Sequence, residues 1–165
     1  MVPAVVAVLE LGQGNAALWW AAVIFTVASL SDMLDGKIAR KRNLITDFGK
    51  FMDPLADKML ICSVLICLAE RGMTPAWAVI LITAREFAAS GLRMLAASQG
   101  IVLAAGWLGK RKANVQTLWI ISLLVPLQWS WWKWVQLVLM IAALLLTVWS
   151  LADYFIKNKG IIRDM

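Results

Sequence analysis

"SDMLDGKIARKRNLITDFGKFMDPLADK", residues 31–58, holds five of the ten carboxylates of a 165-residue chain. Apolar runs flank it. Leu11–Ser31 is uncharged for twenty-one residues on one side, and Met59–Ala69 follows on the other. Asp32, Asp35, Asp53 and Asp57 therefore stand at the ends of apolar segments, and those surroundings limit what they can do.

The chain is 62% hydrophobic and 16% charged, where a soluble domain carries about 25% charged residues. The excess apolar surface needs lipid to face. A membrane-crossing helix takes about 20 mostly apolar residues. Ala113–Trp132 is uncharged for twenty residues and Trp134–Ala152 for nineteen. Charge interrupts two further runs, Met59–Ala69 and Thr74–Ala84 with its continuation Phe87–Leu92. Val2–Leu9 is too short to cross at about 1.5 Å per residue. With no basic segment before it, a signal peptide fits poorly, and a short buried or interfacial helix competes with a truncated span. The pattern predicts an all-α integral membrane protein, a single domain over 1–165. Its six transmembrane helices form a bundle, the first shortened by loss of its cytoplasmic half.

Basic residues orient the bundle. Lys37, Arg40, Lys41, Arg42 and Lys50 lie between the second and third spans, and Lys110, Arg111 and Lys112 between the fourth and fifth. Lys157, Lys159 and Arg163 follow the last, while the opposite loops hold only Arg71 and Lys133. This asymmetry puts residues 31–58 and the C-terminus in the cytoplasm. The net charge of +6 then meets an anionic inner leaflet. Nucleic acid is not the expected partner, because the basic clusters sit at the ends of spans. Trp19, Trp20, Trp129, Trp131, Trp132 and Trp134 read as an interfacial aromatic belt. Cys62 and Cys67 read as small buried hydrophobes, not a disulfide. Histidine is absent, which removes imidazole ligands and bases.

Asp32 and Asp35 are three apart and Asp53 and Asp57 four apart, so on helices each pair shares a face. Both pairs come at the cytoplasmic ends of their spans. Four anions there repel one another and are costly in a membrane segment. Cationic partners (Arg40, Lys50, Lys58 or Arg85), raised proton affinities or divalent cations would each relieve the cost. Oxygen-only donors favour a hard ion such as Mg²⁺, Mn²⁺ or Ca²⁺. Gly36 and Ala39 keep a helix face bare, which suits either close helix packing or a flat ligand approaching the backbone. Arg40 offers a planar fork for phosphate. Gly49 precedes the third span, whose first turn tolerates Pro54.

This stretch resembles the signature of the CDP-alcohol phosphotransferase family. It reads Asp32, two residues, Asp35-Gly36, two residues, Ala39-Arg40, eight residues, Gly49, three residues, Asp53, three residues, Asp57. All eight signature positions are filled. The resemblance implies a two-metal site of Mg²⁺ or Mn²⁺ on Asp32, Asp35, Asp53 and Asp57, with Asp57 the general base on the acceptor hydroxyl. It sets Gly36, Ala39, Arg40 and Gly49 along the nucleotide of a CDP-linked lipid, and it implies a homodimer in a bacterial-type cytoplasmic membrane, with the active site on the cytoplasmic side.

Two later stretches narrow the acceptor. "TAREFAASGLR" carries Arg85, Glu86, Ser90 and Arg93, and "GWLGKRKANVQ" carries Lys110, Arg111 and Lys112. Both resemble the phosphatidylglycerophosphate synthase branch, whose donor is CDP-diacylglycerol and whose acceptor is sn-glycerol 3-phosphate. Arg93, Lys110 and Lys112 would bind the acceptor phosphate, with Arg85, Glu86 and Ser90 in support. Ordinary positive-inside topology also accounts for the lysines. Ala113 stands where the branch has Thr, and the branch's polar segment before the first span is missing. Inositol phosphate or serine are the alternative acceptors. A cation or proton-coupled transporter is the rival from another class, because intramembrane acids also mark ion paths; it gives Gly36, Ala39 and Arg40 no role.

Overall fold

The computed structural model describes residues 2–12, 14–41, 47–98 and 107–157. They form six helices, with no strand among the described residues. These are α1 (Val2–Leu11), α2 (Gly14–Lys41), α3 (Asp47–Glu70), α4 (Ala76–Ser98), α5 (Trp107–Leu124) and α6 (Ser130–Lys157). The all-helical expectation is borne out. By length and composition two helices can cross a membrane, through Gly14–Ser31 of α2 and Ser130–Asp153 of α6. In α3 the charges of Asp47, Lys50, Asp53, Asp57 and Lys58 crowd the first half, and Arg85, Glu86 and Arg93 interrupt α4. At ten residues, α1 is too short to span.

The chain divides into two compact units, Met1–Thr74 with Ile120–Gln128, and Pro75–Trp119 with Trp129–Met165. In the first, α1 packs against both α2 and α3. Val5 and Leu9, one turn apart, are the buried face of α1. Ala17, Ala21, Phe25 and Ala28 recur at helical spacing along the buried side of α2. Small residues there allow close approach between helices, while Trp19, Trp20, Val23, Val27 and Leu30 point outward.

The α1–α2 corner depends on glycine. A Cβ on Gly12 would come within 2.6 Å of both the Ala17 Cβ and the Val8 carbonyl oxygen. Gly14 has a φ of 77°, a region side chains disfavour. At the far end of α3, Gly72 (φ 69°) closes the helix. Its N–H donates to the Ala69 carbonyl and that of Met73 to the Leu68 carbonyl, both at 2.9 Å, which makes a Schellman cap. The cap directs Arg71 back across the unit. Its Nη2 donates to the Leu9 carbonyl and, at 2.7 Å, to the Gly12 carbonyl. A cation thereby meets the orphan carbonyls at the C-terminal end of α1, where the helix dipole favours it. Cys62 and Cys67 are buried thiols, as their apolar run predicted.

In the second unit α4 packs against α6. The two sides of α6 are inverted relative to a soluble protein. Ala143, Thr147 and Ser150 are buried, and Val138, Ile141, Leu145, Val148 and Trp149 are exposed. The small polar members need no solvent, because Thr147 donates to the Ala143 carbonyl at 2.6 Å and Ser150 to the Thr147 carbonyl at 3.1 Å. A continuous apolar outer face of this size calls for a nonaqueous surrounding. Trp129, Trp131 and Trp132 stack at the start of α6, with ring centroids 5.4 and 5.6 Å apart. Trp77 is exposed at the start of α4, and Trp19 and Trp20 near the start of α2.

Candidate active site

Asp32, Asp35, Gly36, Ala39 and Arg40 lie on the last third of α2, and Gly49, Asp53 and Asp57 on the first half of α3. The side chains of residues 32–57 lie outside the described ones, so backbone register defines this part of the site. Counted from the ends that the chain joins, Asp35 is six residues before Lys41 and Asp53 six residues after Asp47. Asp32 and Asp57 sit nine and ten residues in. At about 1.5 Å per residue the inner pair is set about 9 Å from its helix ends and the outer pair about 14 Å. The acids are thus matched in pairs along two helices that share α1 as a packing partner. Among the described residues no group of three metal-ligating side chains occurs. The donor set of the motif itself is four carboxylates and no nitrogen or sulfur, which fits a hard divalent cation.

The second unit gathers the residues read as acceptor-side. Glu86, near the middle of α4, is paired with Lys112 of α5. Lys112 is 1% exposed and Glu86 14%. An ammonium so buried requires such a partner. Arg85 stands 3.4 Å from both Glu86 oxygens, long for a hydrogen bond. Its other nitrogen donates to the Ser150 hydroxyl of α6 at 2.9 Å. One charged cluster thus ties α4 to both α5 and α6. Ser90 is turned inward on its own helix, donating to the Glu86 carbonyl at 2.7 Å. Arg93 is half-buried on α4, about two turns past Glu86. Lys110 lies on α5 with its side chain outside the described ones, and Arg111 is exposed.

Sequence reasoning anticipated that Arg85 would meet an acid. It gave no role to Ser150 or to Gln116. Gln116 is fully buried, and neither Nε2 nor Oε1 meets a hydrogen-bond partner. In the sequence it is one polar residue among several on α5, four residues after Lys112, and nothing there sets it apart.

Comparison with known proteins identifies the family. Residues 1–149 match the family described as CDP-alcohol phosphatidyltransferase. The chain belongs to that family of transferases, and the resemblance carried by Asp32 to Asp57 is borne out. Among its relatives is the CDP-diacylglycerol–glycerol-3-phosphate 3-phosphatidyltransferase of Bacillus subtilis (strain 168), 45% identical over 140 residues, covering 83% of this chain and 72% of the relative. A probable phosphatidylglycerophosphate synthase of Mycobacterium tuberculosis (strain ATCC 25618 / H37Rv) is 40% identical over 173 aligned positions, covering 99% and 80%. The CDP-diacylglycerol–glycerol-3-phosphate 3-phosphatidyltransferase of Salmonella typhimurium is 34% identical over 155, covering 87% and 80%.

Proposed function

We propose that this chain transfers the phosphatidyl group of CDP-diacylglycerol to sn-glycerol 3-phosphate, giving phosphatidylglycerophosphate and CMP. The observation that carries the reading is the full eight-position signature from Asp32 to Asp57, borne at matched register on α2 and α3 of a family member. The names of its relatives support the choice of donor and acceptor.

In the reaction the acceptor's primary hydroxyl oxygen forms a bond to the lipid-side phosphorus of the diphosphate. The bond from that phosphorus to the bridging oxygen breaks, and its electron pair leaves with CMP. Asp57 takes the hydroxyl proton as attack proceeds, a general-base role that needs only hydrogen-bond reach. Asp32, Asp35, Asp53 and Asp57 would hold Mg²⁺ or Mn²⁺, two ions by family resemblance. Such cations neutralise diphosphate oxygens and stabilise the leaving phosphate. Gly36, Ala39 and Gly49 leave room for the nucleotide against the backbone, and Arg40 forks onto its phosphates. Arg93 and Lys110 attract the acceptor's phosphate, while Lys112, the third cation read for it, is 1% exposed with its charge met by Glu86. Arg85, Glu86 and Ser90 support them by fixing the geometry of α4.

The apolar outer face of α6 and the basic clusters at helix ends support a multi-pass protein. Six membrane segments form one catalytic domain over 1–165, in the inner membrane of a bacterial-type cell. The acids then lie at the cytoplasmic rim, where acyl chains stay in lipid and the nucleotide reaches from water. The test is CMP release by purified protein with Mg²⁺ and CDP-diacylglycerol, with glycerol 3-phosphate, inositol phosphate or serine supplied in turn. Turnover with glycerol 3-phosphate alone supports the reading. Turnover with another acceptor instead, or cation flux into proteoliposomes without nucleotide, overturns it.

A further inference from the structure

Gln116 is the side chain that the mechanism above leaves unused. A buried carboxamide offers two donors and an acceptor. Leaving such groups unmatched is unfavourable, and native proteins rarely do it without a reason. Here both ends of the amide, Nε2 and Oε1, are without a partner in a residue that is fully buried. A second observation locates it. Gln116 is four residues after Lys112 on α5, so the two share a helix face, with side chains about 5–6 Å apart at Cβ. Lys112 is itself buried and turned to Glu86 of α4. The α5 face that meets this charged cluster therefore continues, one turn on, into a neutral group able to donate and accept. A carboxamide able both to donate and to accept suits a ligand hydroxyl, which does the same.

We propose that Gln116 is a specificity-determining residue that hydrogen-bonds the secondary hydroxyl of the acceptor. This deepens the functional reading above and rests on it. Gln116 then decides which phosphorylated alcohols are accepted. A pocket built to pair a hydroxyl discriminates against an analogue lacking it, because its own polar atoms are left unmatched.

The test compares glycerol 3-phosphate with 3-hydroxypropyl phosphate, which keeps the phosphate and the primary hydroxyl and lacks only the secondary one. CMP release is followed for the wild-type protein, Gln116→Leu and Gln116→Met in detergent–lipid micelles. The wild type is expected to favour glycerol 3-phosphate about tenfold in kcat/KM, the size of one well-made neutral hydrogen bond. Both variants are expected to lose that preference, through a raised KM for glycerol 3-phosphate with little change for the analogue. Equal use of both acceptors by the wild type overturns the proposal without recourse to any variant. Equal losses for both acceptors in the variants also overturn it, because they mark Gln116 as a packing residue. Failure of the wild type to use glycerol 3-phosphate at all refutes the functional reading instead.

Discussion

Lys112 and Glu86 form an ion pair between α5 and α4 in which the ammonium is 1% exposed and the carboxylate 14%. Removing one member strands the other, which typically costs about 3–5 kcal/mol for a buried pair. Replacing both with apolar groups of similar size removes the stranded ammonium and leaves Arg85 held by Ser150 without its neighbouring carboxylate. Lys112→Met and Glu86→Leu should each lower the thermal unfolding temperature in detergent. The double variant should recover the part of the loss owed to the stranded ammonium, with a coupling of about 1–3 kcal/mol in a double-mutant cycle. Additive losses would show that the pair does not hold the helices.

Arg71 bridges the end of α3 to the Leu9 and Gly12 carbonyls. Arg71→Ala should cost about 2 kcal/mol, the scale of hydrogen bonds made by a charged group. The loss should localise, with amide exchange accelerating in α1 first. Arg71→Lys should recover only part of it, because one ammonium does not reproduce a planar fork.

Gly12→Ala should destabilise the same corner by about 1–3 kcal/mol, the usual penalty of overpacking. The added methyl has the Val8 carbonyl oxygen and the Ala17 Cβ in its way at 2.6 Å, and neither is the flexible end of a side chain. Unfolding midpoints of the variant and wild type in the same detergent check this. An unchanged midpoint would mean that the corner relaxes freely.

Asp57→Asn keeps shape and removes the base. CMP release should fall about a hundredfold to ten-thousandfold, while binding of CDP-diacylglycerol, followed by equilibrium dialysis of labelled lipid in micelles, should persist. Loss of donor binding together with turnover would place Asp57 on the nucleotide side instead.

Helix content was legible because its signals are local. Runs without charge gave the segments, whereas the corners at Gly12, Gly14 and Gly72 show only in the backbone conformation and close approach of the folded chain. Helix ends were less legible where apolarity and helicity part company. Ala113–Trp132 is uninterrupted by charge, yet α5 stops at Leu124, just before Pro126, which cannot donate a backbone hydrogen bond. The α6 helix starts at Ser130, inside that apolar run. The acidic signature was legible at once, because spacing along a helix encodes a shared face. The partnership of Lys112 with Glu86 was not, although both were singled out. Pairing across twenty-six residues is a property of how α4 and α5 meet, and a lysine near a span end reads equally well as topology. Gln116 escaped for a related reason. A lone glutamine carries no pattern, and its meaning appears only once its burial and lack of partners are seen.

In the proposed reaction, carboxylates from α2 and α3 act together on divalent cations. Electron paramagnetic resonance of Mn²⁺ titrated into the purified protein in micelles with CDP-diacylglycerol tests it most directly. Two bound ions per chain are expected, with occupancy lost in Asp32→Asn and equally in Asp53→Asn, one substitution on each helix. Unchanged Mn²⁺ binding after either substitution would contradict the account.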